Sequence, residues 1–375
     1  MMPFRTPEMA FVAAACAWPR GPADLATLNR IAAGKPDWQL VARLARVHHV
    51  VALVADALAS LPEAPPLRAS LAAEAMPLLG IALRQAHETA RLVALLGSHL
   101  IPTTVLKGAA TAARAFGRPG LRQSIDIDLL VPQSQVSAAS ALLSGEGYVL
   151  EGDLQDALRR GHKDLLFHHP GTDTTLELHW RLFQNPRLLP VPAQTVPVEI
   201  LPGRDVATLP PLEEAIYLCA HGGEHGWARL KWLVDLTALI RCGRIDAQEL
   251  YETARRRRLT RMVGPGLVLA HRVHGTPLPP ALERDMARDW RMRRLVDLSW
   301  QCLAGAEDGR ELTEREGGTT LKNLSHYLFS ADPRNLWHEM RYDLLDRPEG
   351  QGLLARIAGL ATRLLIRKPA AGAPA

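Results

Sequence analysis

Hydrophobic positions along the chain follow two different periods. In "WQLVARLARVHHVVALVADALASL", Leu40, Leu44, Val47, Val51, Leu53 and Val54 recur at helical spacings, and "LLGIALRQAHETARLVALLGSHL" repeats the pattern. Residues 1–100 therefore read as a helical region. The run "MAFVAAACAWPRG" belongs to it as a first helix, because Glu8 and a single preceding Arg5 make a poor signal peptide.

At Ile101 the period shortens. "IPTTVLK" is a β-branched run, and "GAATAARAFG" is an alanine-rich helix closed by Gly117. "SIDIDLLV" is a second strand, and "PQSQVSAASALLSGEGY" a helix with proline at its opening. "DLLFHH" and "TTLELHWRLF" are strands joined by the turn "PGTDT". The order β, α, β, α, β, β predicts a small mixed sheet with helices on one face, over residues 101–203.

A proline-rich connection runs from Leu188 to Pro211, and helices then return over 204–375. "PPLEEAIYLCAHGGEHGWARLKWLVDLTALIRCG" opens on Pro-Pro, carries Leu212, Ile216, Cys219 and Ala220 on one stripe, and ends at Gly243. Breaks are expected near "HGTPLPP", "REGGTT" and "SADPRN". The fold class is α+β, a mixed-sheet core between two helical regions.

Composition narrows the class of protein. A chain of 375 residues that is 47% apolar can bury large cores in two or three units. With 44 Lys and Arg against 39 Asp and Glu, the balance suits a phosphate-bearing ligand. No aromatic-rich basic patch supports a nucleic-acid partner. Cys16, Cys219, Cys242 and Cys302 lack the spacing of a zinc site or a disulfide framework, and a reducing cytoplasm fits them best. No apolar run reaches the ~18–20 residues of a membrane span. "GLLARIAGLATRLLIRK" places Leu353, Ile357, Leu360 and Leu364 on one helical face, suited to docking on its own domain or to a peripheral membrane contact. The tail "PAAGAPA" is expected to be disordered.

The candidate chemistry sits in the middle hundred residues. In "IDIDLLV", alternation points Asp126 and Asp128 to one face and the flanking apolar residues to the other. Two like charges there raise a pKa unless a cation joins them, and hard carboxylate oxygens suit Mg²⁺ bridging to substrate phosphates. "TTLELHW" puts Glu177 and His179 on one face of its strand. If that strand lies beside the first, Glu177 is a third carboxylate, able to ligate a second ion and to help deprotonate a hydroxyl. The alternative is a surface salt bridge, and His179 reads equally as a core histidine or a ligand. Lys107 and Gly108 lie at a strand-to-helix turn where backbone amides and a point charge favour a triphosphate, although any alanine-rich helix can begin after a glycine. His221 and His225 are one helical turn apart. Gly222 replaces the glutamate of a zinc-protease motif, so contact with a nucleotide or acceptor and packing against Trp227 and Trp232 stay open alike.

The run "VLKGAATAARAFGRPGLRQSIDIDLLVP", with "LELHWRL" and "LPPLEEAIYLCAHGGEHGWARLKWLVDL" after it, resembles the uncharacterised nucleotidyltransferase family of the polymerase-beta-type superfamily, of the kind found in lasso-peptide and other natural-product clusters. The resemblance extends from about Trp38 to about Gly243. It implies a transferase core in which Asp126, Asp128 and Glu177 are catalytic and bind metal, two Mg²⁺ ions being expected. ATP or another nucleoside triphosphate would be the substrate, and the acceptor an unknown small molecule or peptide. Lys107 and Gly108 replace the Gly-Ser turn of the wider superfamily, so the phosphate grip is expected from Lys107, backbone amides and Arg122. Ser124 lies one place further from the acids than in the common pattern and receives no role. A non-catalytic nucleotide- or peptide-binding module of degenerate transferase fold is the alternative, motivated by that altered turn.

Overall fold

A computed structural model of the chain describes residues 4–61, 67–310 and 325–342. The chain divides into two compact units, residues 1–330 and 331–375. In the second, one helix spans Pro333–Arg341, and the Asp332 carboxylate caps it by accepting from the Arg334 amide at 2.9 Å. The amphipathic segment at 353–368, the terminal tail and the break expected at "REGGTT" lie outside the described residues.

The first unit opens with α1 (Pro7–Ala15), α2 (Pro22–Ala33), α3 (Trp38–Val47), α4 (Val51–Ala59) and α5 (Leu67–Ser98). The helical stripe that begins at Trp38 is broken at His49, whose φ is +55°. Tertiary contacts explain the break: the Leu230 amide donates to His48 Nδ1 at 3.2 Å, and the Lys231 amide to the His48 carbonyl at 3.3 Å. An apolar period that continues across such a kink gives no sign of it.

The sheet comprises β1 (Thr104–Val105), β2 (Asp126–Leu130), β3 (Val149–Glu151), β4 (Asp164–His169), β5 (Thr174–His179), β6 (Val196–Leu201) and β7 (Arg204–Thr208), in the order β3-β4-β5-β2-β1-β7-β6. It is mixed: β2 runs parallel to β5 and β1 to β7, and the other pairs are antiparallel. The β6-β7 hairpin lies in what sequence reading treats as a connection. Its prolines sit at an edge, where a missing N–H costs no ladder bond, and Gly203 at φ +70° makes the turn.

Between β1 and β2 runs a one-turn α6 (Ala109–Thr111), continued by a π-turn over Ala112–Phe116. The helices α7 (Val136–Gly145) and α8 (Leu154–Arg160) flank β3. Ile127, Leu129, Phe167, Leu176 and Leu178 fill one face of the sheet and form a core with Leu92 and Leu96 of α5 and Val136, Ala139 and Leu143 of α7. Ile125, expected on that face, precedes the strand and is exposed.

The return to helix gives α9 (Pro211–Glu224), α10 (Leu230–Arg241), α11 (Ala247–Arg256), α12 (Thr260–His274), α13 (Pro280–Arg288) and α14 (Trp290–Ala304). They share a single larger core with α1, α3 and α4, including Phe11, Leu44, Val54, Ile216, Leu236 and Leu267. The helix expected from Pro211 to Gly243 is two. Gly226 and Trp227 have φ of +62° and +53°, and the Trp227 ring is fully buried. A Cβ on Gly222 would lie 2.7 Å from that ring, so glycine is required there by close approach.

Candidate active site

The strand register assembles the carboxylates. In the parallel β2-β5 ladder Asp126 lies opposite Thr175, Asp128 opposite Glu177 and Leu130 opposite His179, so the acids and the imidazole share one face. The antiparallel β4-β5 ladder places Asp164 opposite His179. A row of Asp128, Glu177, His179 and Asp164 thus crosses three strands in mid-sheet.

His179 Nε2 lies 3.2 Å from Asp128 Oδ1 and 3.1 Å from Glu177 Oε2, and Nδ1 lies 3.6 Å from Asp164 Oδ2. Burial disfavours the charged ring, but the hydrogen bonds to Asp128 and Glu177 and the field of Asp164 prevail and raise its pKa to about 9. Burial pushes the Glu177 carboxyl up, and His179 and Lys107 more than reverse this, bringing it to about 2.

Lys107 Nζ lies 3.0 Å from Asp128 Oδ1 and 3.6 Å from Asp126 Oδ2. Burial works against its charge, and the fields of Asp128 and Asp126 outweigh that and hold its pKa above the usual lysine range. Both cations therefore meet at Asp128 Oδ1. Asp128 Oδ2 is buried with no hydrogen-bond partner. A carboxylate with one oxygen doubly engaged and the other orphaned keeps an acceptor for a further partner, unlike a completed salt bridge. Asp128, Glu177 and His179 offer ligand atoms that all lie within 4.8 Å of one another.

Gly108 follows Lys107 with φ +63° and ψ −123°, and a Cβ there would meet Ser124 Oγ only at 3.8 Å, so the backbone conformation rather than space calls for glycine. The helix after it is a single α-turn running into the π-turn, and its dipole is correspondingly modest. Ser124 Oγ donates to the Asp126 carbonyl at 3.2 Å. Lys107, Gly108, Arg122, Ser124, Asp126 and Asp128 line one cleft, with part of α5 as its wall.

Arg122 is held by a bidentate pair: Nε donates to Asp235 Oδ1 and Nη2 to Oδ2, each at 2.9 Å. Its buried Nη1 has no partner. On α10, four residues before Asp235, Lys231 is lowered to about 8 by burial and by the charges of Arg122 and Lys107, against the pull of Asp126. His49 is lowered to about 4 by burial and by Arg229 and Lys231.

His221 and His225 stand on one side of the α9 terminus with ring centroids 4.6 Å apart. The His225 ring stacks on Trp232 at 4.7 Å, and burial followed by the charge of Lys107 pushes the His221 pKa well down.

Sequence reading passed over Lys163, Asp164 and Glu224, assigned nothing to Ser124, and took Lys231, with Arg229 and Asp235, as a mix of solvated face and helix contacts. Asp164 was within reach, since the "PGTDT" hairpin fixes which β4 residue faces His179. Nothing local to Lys231 marks its approach to the acids, because that depends on the break at His49 and on the bond from its amide to the His48 carbonyl.

Residues 34–275, more than half of the chain, match the family model described as uncharacterised nucleotidyltransferase. The chain belongs to this family. It is a nucleotidyltransferase, which makes a nucleotide its substrate class. No curated protein and no solved structure matches the chain. Among the described residues no helix is long and apolar enough to cross a membrane.

Proposed function

We propose that the enzyme transfers a nucleoside monophosphate from a nucleoside triphosphate, ATP being the first to test, to a hydroxyl or phosphate oxygen of a small-molecule or peptide acceptor in the cytoplasm. The acceptor oxygen bonds to the α-phosphorus, the P–O bond bridging the α- and β-phosphates breaks, and pyrophosphate leaves. The single observation that carries the reading is the β2-β5 register, which sets Asp128 opposite Glu177 with Asp128 Oδ2 orphaned between buried neighbours.

Asp126, Asp128 and Glu177 are the residues that would hold Mg²⁺, a hard ion suited to carboxylate oxygens. Bound there, it would neutralise charge on the transferring phosphoryl group and align acceptor and α-phosphate for in-line displacement. The chain's own contribution is positional. Lys107 sits over Asp128 and Asp126 at the start of the Gly108 turn, ready to exchange a carboxylate for a phosphate oxygen as charge is redistributed. Arg122, oriented by Asp235, keeps Nη1 for a phosphate oxygen at the cleft. Glu177 has the most exposed of the three carboxylates, at 30% against 18% for Asp126 and none for Asp128. It takes the acceptor proton on Oε1, the oxygen not held by His179 Nε2.

The test is transfer from α-phosphate-labelled nucleoside triphosphates, with Mg²⁺, to a panel of hydroxyl- and phosphate-bearing small molecules and peptides, read by mass spectrometry. The wild type should add one nucleotide, and the variant carrying Asp126→Asn and Asp128→Asn should lose transfer while keeping its far-ultraviolet circular dichroism. Retained transfer in the double variant overturns the mechanism. Nucleotide binding without turnover across the panel would instead favour the binding module.

A further inference from the structure

A second donor set stands apart from the carboxylate row. His221, Glu224 and His225 lie at the C-terminal end of α9 in the sequence "HGGEH", at i, i+3 and i+4. These spacings put three side chains on one helical face. Their ligand atoms all lie within 4.8 Å of one another, and each residue is part-buried, so the group is gathered and still open to solvent on one side. The neighbours restrain the rings: His225 stacks on Trp232 with 16° between planes, and His221 meets the same indole edge-on at 6.0 Å and Tyr217 at 6.1 Å. The helix end is itself tied down, since His326 Nε2 lies 3.0 Å from the Glu224 carbonyl oxygen and the Trp227 amide donates to the Gly222 carbonyl at 2.7 Å.

Two imidazoles and one carboxylate form a donor set of intermediate softness, suited to zinc and its neighbours rather than to magnesium. Four-coordinate zinc with bonds of about 2.0–2.2 Å needs ligand atoms roughly 3.3 Å apart. Reaching that from the observed spacing takes about 1.5 Å of closure at most, a matter of side-chain torsions at the three residues. The missing glutamate at position 222 does not weaken this reading. It removes the general base of a protease motif, and the reason is steric, because Trp227 occupies the space of any side chain there.

We propose that His221, Glu224 and His225 form a zinc site, distinct from the carboxylate site, with open positions for an oxygen donor. Charge links the two clusters, since Lys163 feels both Glu224 and Glu177, and His221 feels Lys107. Lys163 is itself paired with Asp164, which limits its repulsion of a bound cation. An ion held here would fix an anionic or hydroxyl group of the acceptor near the carboxylates. That role rests on the transfer reading; zinc binding does not, so a metal titration separates the two.

The experiment uses the full chain, stripped with a chelator and titrated with Co²⁺ followed by visible absorption, then with Zn²⁺ in competition with a chromophoric chelator. One equivalent should bind with intense bands of low-coordinate cobalt, apart from any metal taken up without such bands at the carboxylate site. His225→Ala and Glu224→Gln should each weaken it at least tenfold, and Asp128→Asn should leave it in place. If His221→Ala fails to fold, the Glu224→Gln and His225→Ala variants decide the matter. The proposal is overturned if no equivalent binds, if both variants bind as the wild type does, or if Asp128→Asn alone abolishes binding.

Discussion

Two buried charge clusters sit on either side of the α6 turn, and they are built to opposite rules. Arg114 and Glu214 form a closed set. The Arg114 guanidinium pairs with Glu214 and donates to the Leu209 carbonyl at 2.8 Å, and Thr111 Oγ1 donates to the other carboxylate oxygen. Neither residue leaves a buried polar atom without a partner. Around Asp128 the count is uneven: Lys107 and His179 converge on one oxygen while the other has none. Burial and charge alone do not distinguish structure from function here. Completeness of pairing is where the two differ: a closed pair fixes a packing geometry, and an open one keeps the coordination capacity that the proposed transfer would use.

Substitution at each cluster should separate the two most widely. Glu214→Gln strands the Arg114 charge in the core with only neutral acceptors, and the expected loss is about 3–5 kcal/mol in urea unfolding. Asp128→Asn should cost much less in the same measurement. Each cation there keeps a second acid, Asp126 for Lys107 and Glu177 with Asp164 for His179. Equal destabilisation by the two variants would erase the distinction.

The next effect concerns pH in the metal-free protein. His179 has its folded pKa raised from an ordinary 6.5 to about 9. Its contribution is therefore complete below about pH 6.5 and is lost as pH rises through 9, a span worth on the order of 3 kcal/mol. With chelator present, wild-type stability should decline across that window, and His179→Gln should remove the slope. A parallel decline in the variant would assign the slope to other groups.

The site and its surroundings were unequally legible in the sequence, for physical reasons. Period-2 alternation in "IDIDLLV" and "TTLELHW" places acids and apolar residues on opposite faces whatever the rest of the chain does, and the "PGTDT" turn fixes the pairing of the second run with "DLLFHH". Asp126 with Asp128, and Glu177 with His179, were therefore each readable as a face, whereas the parallel β2-β5 pairing that merges them was not, since no hairpin joins those strands. The β6-β7 hairpin was obscured because its prolines read as loop, although "PG" at its turn and alternation in "RDVAT" were present. Arg122 was readable as a cation but not as one oriented by Asp235, since that pair joins residues 113 apart in sequence. The breaks at His49 and Trp227 were hidden for a related reason. Both replace helix with contacts from distant segments, and the apolar stripe on either side runs on in phase.

Lys231 offers the smallest and sharpest test, because it depends on the kink that the sequence conceals. Its amide is held by the His48 carbonyl, so the break between α3 and α4 sets where its side chain starts. Burial and the charges of Arg122 and Lys107 depress its pKa to about 8, meaning that cations already crowd the cleft before any phosphate arrives. A triphosphate would relieve that crowding. Lys231→Met should then weaken nucleoside triphosphate binding by about tenfold, near 1.4 kcal/mol, in equilibrium titration. Below pH 8 the lysine is charged, so wild-type affinity should fall as pH rises past that value, and the methionine variant should lose this dependence. Should the variant instead bind as tightly as the wild type, with the same pH profile, Lys231 belongs with the closed structural pairs, and the open cluster shrinks to the strands that carry the acids.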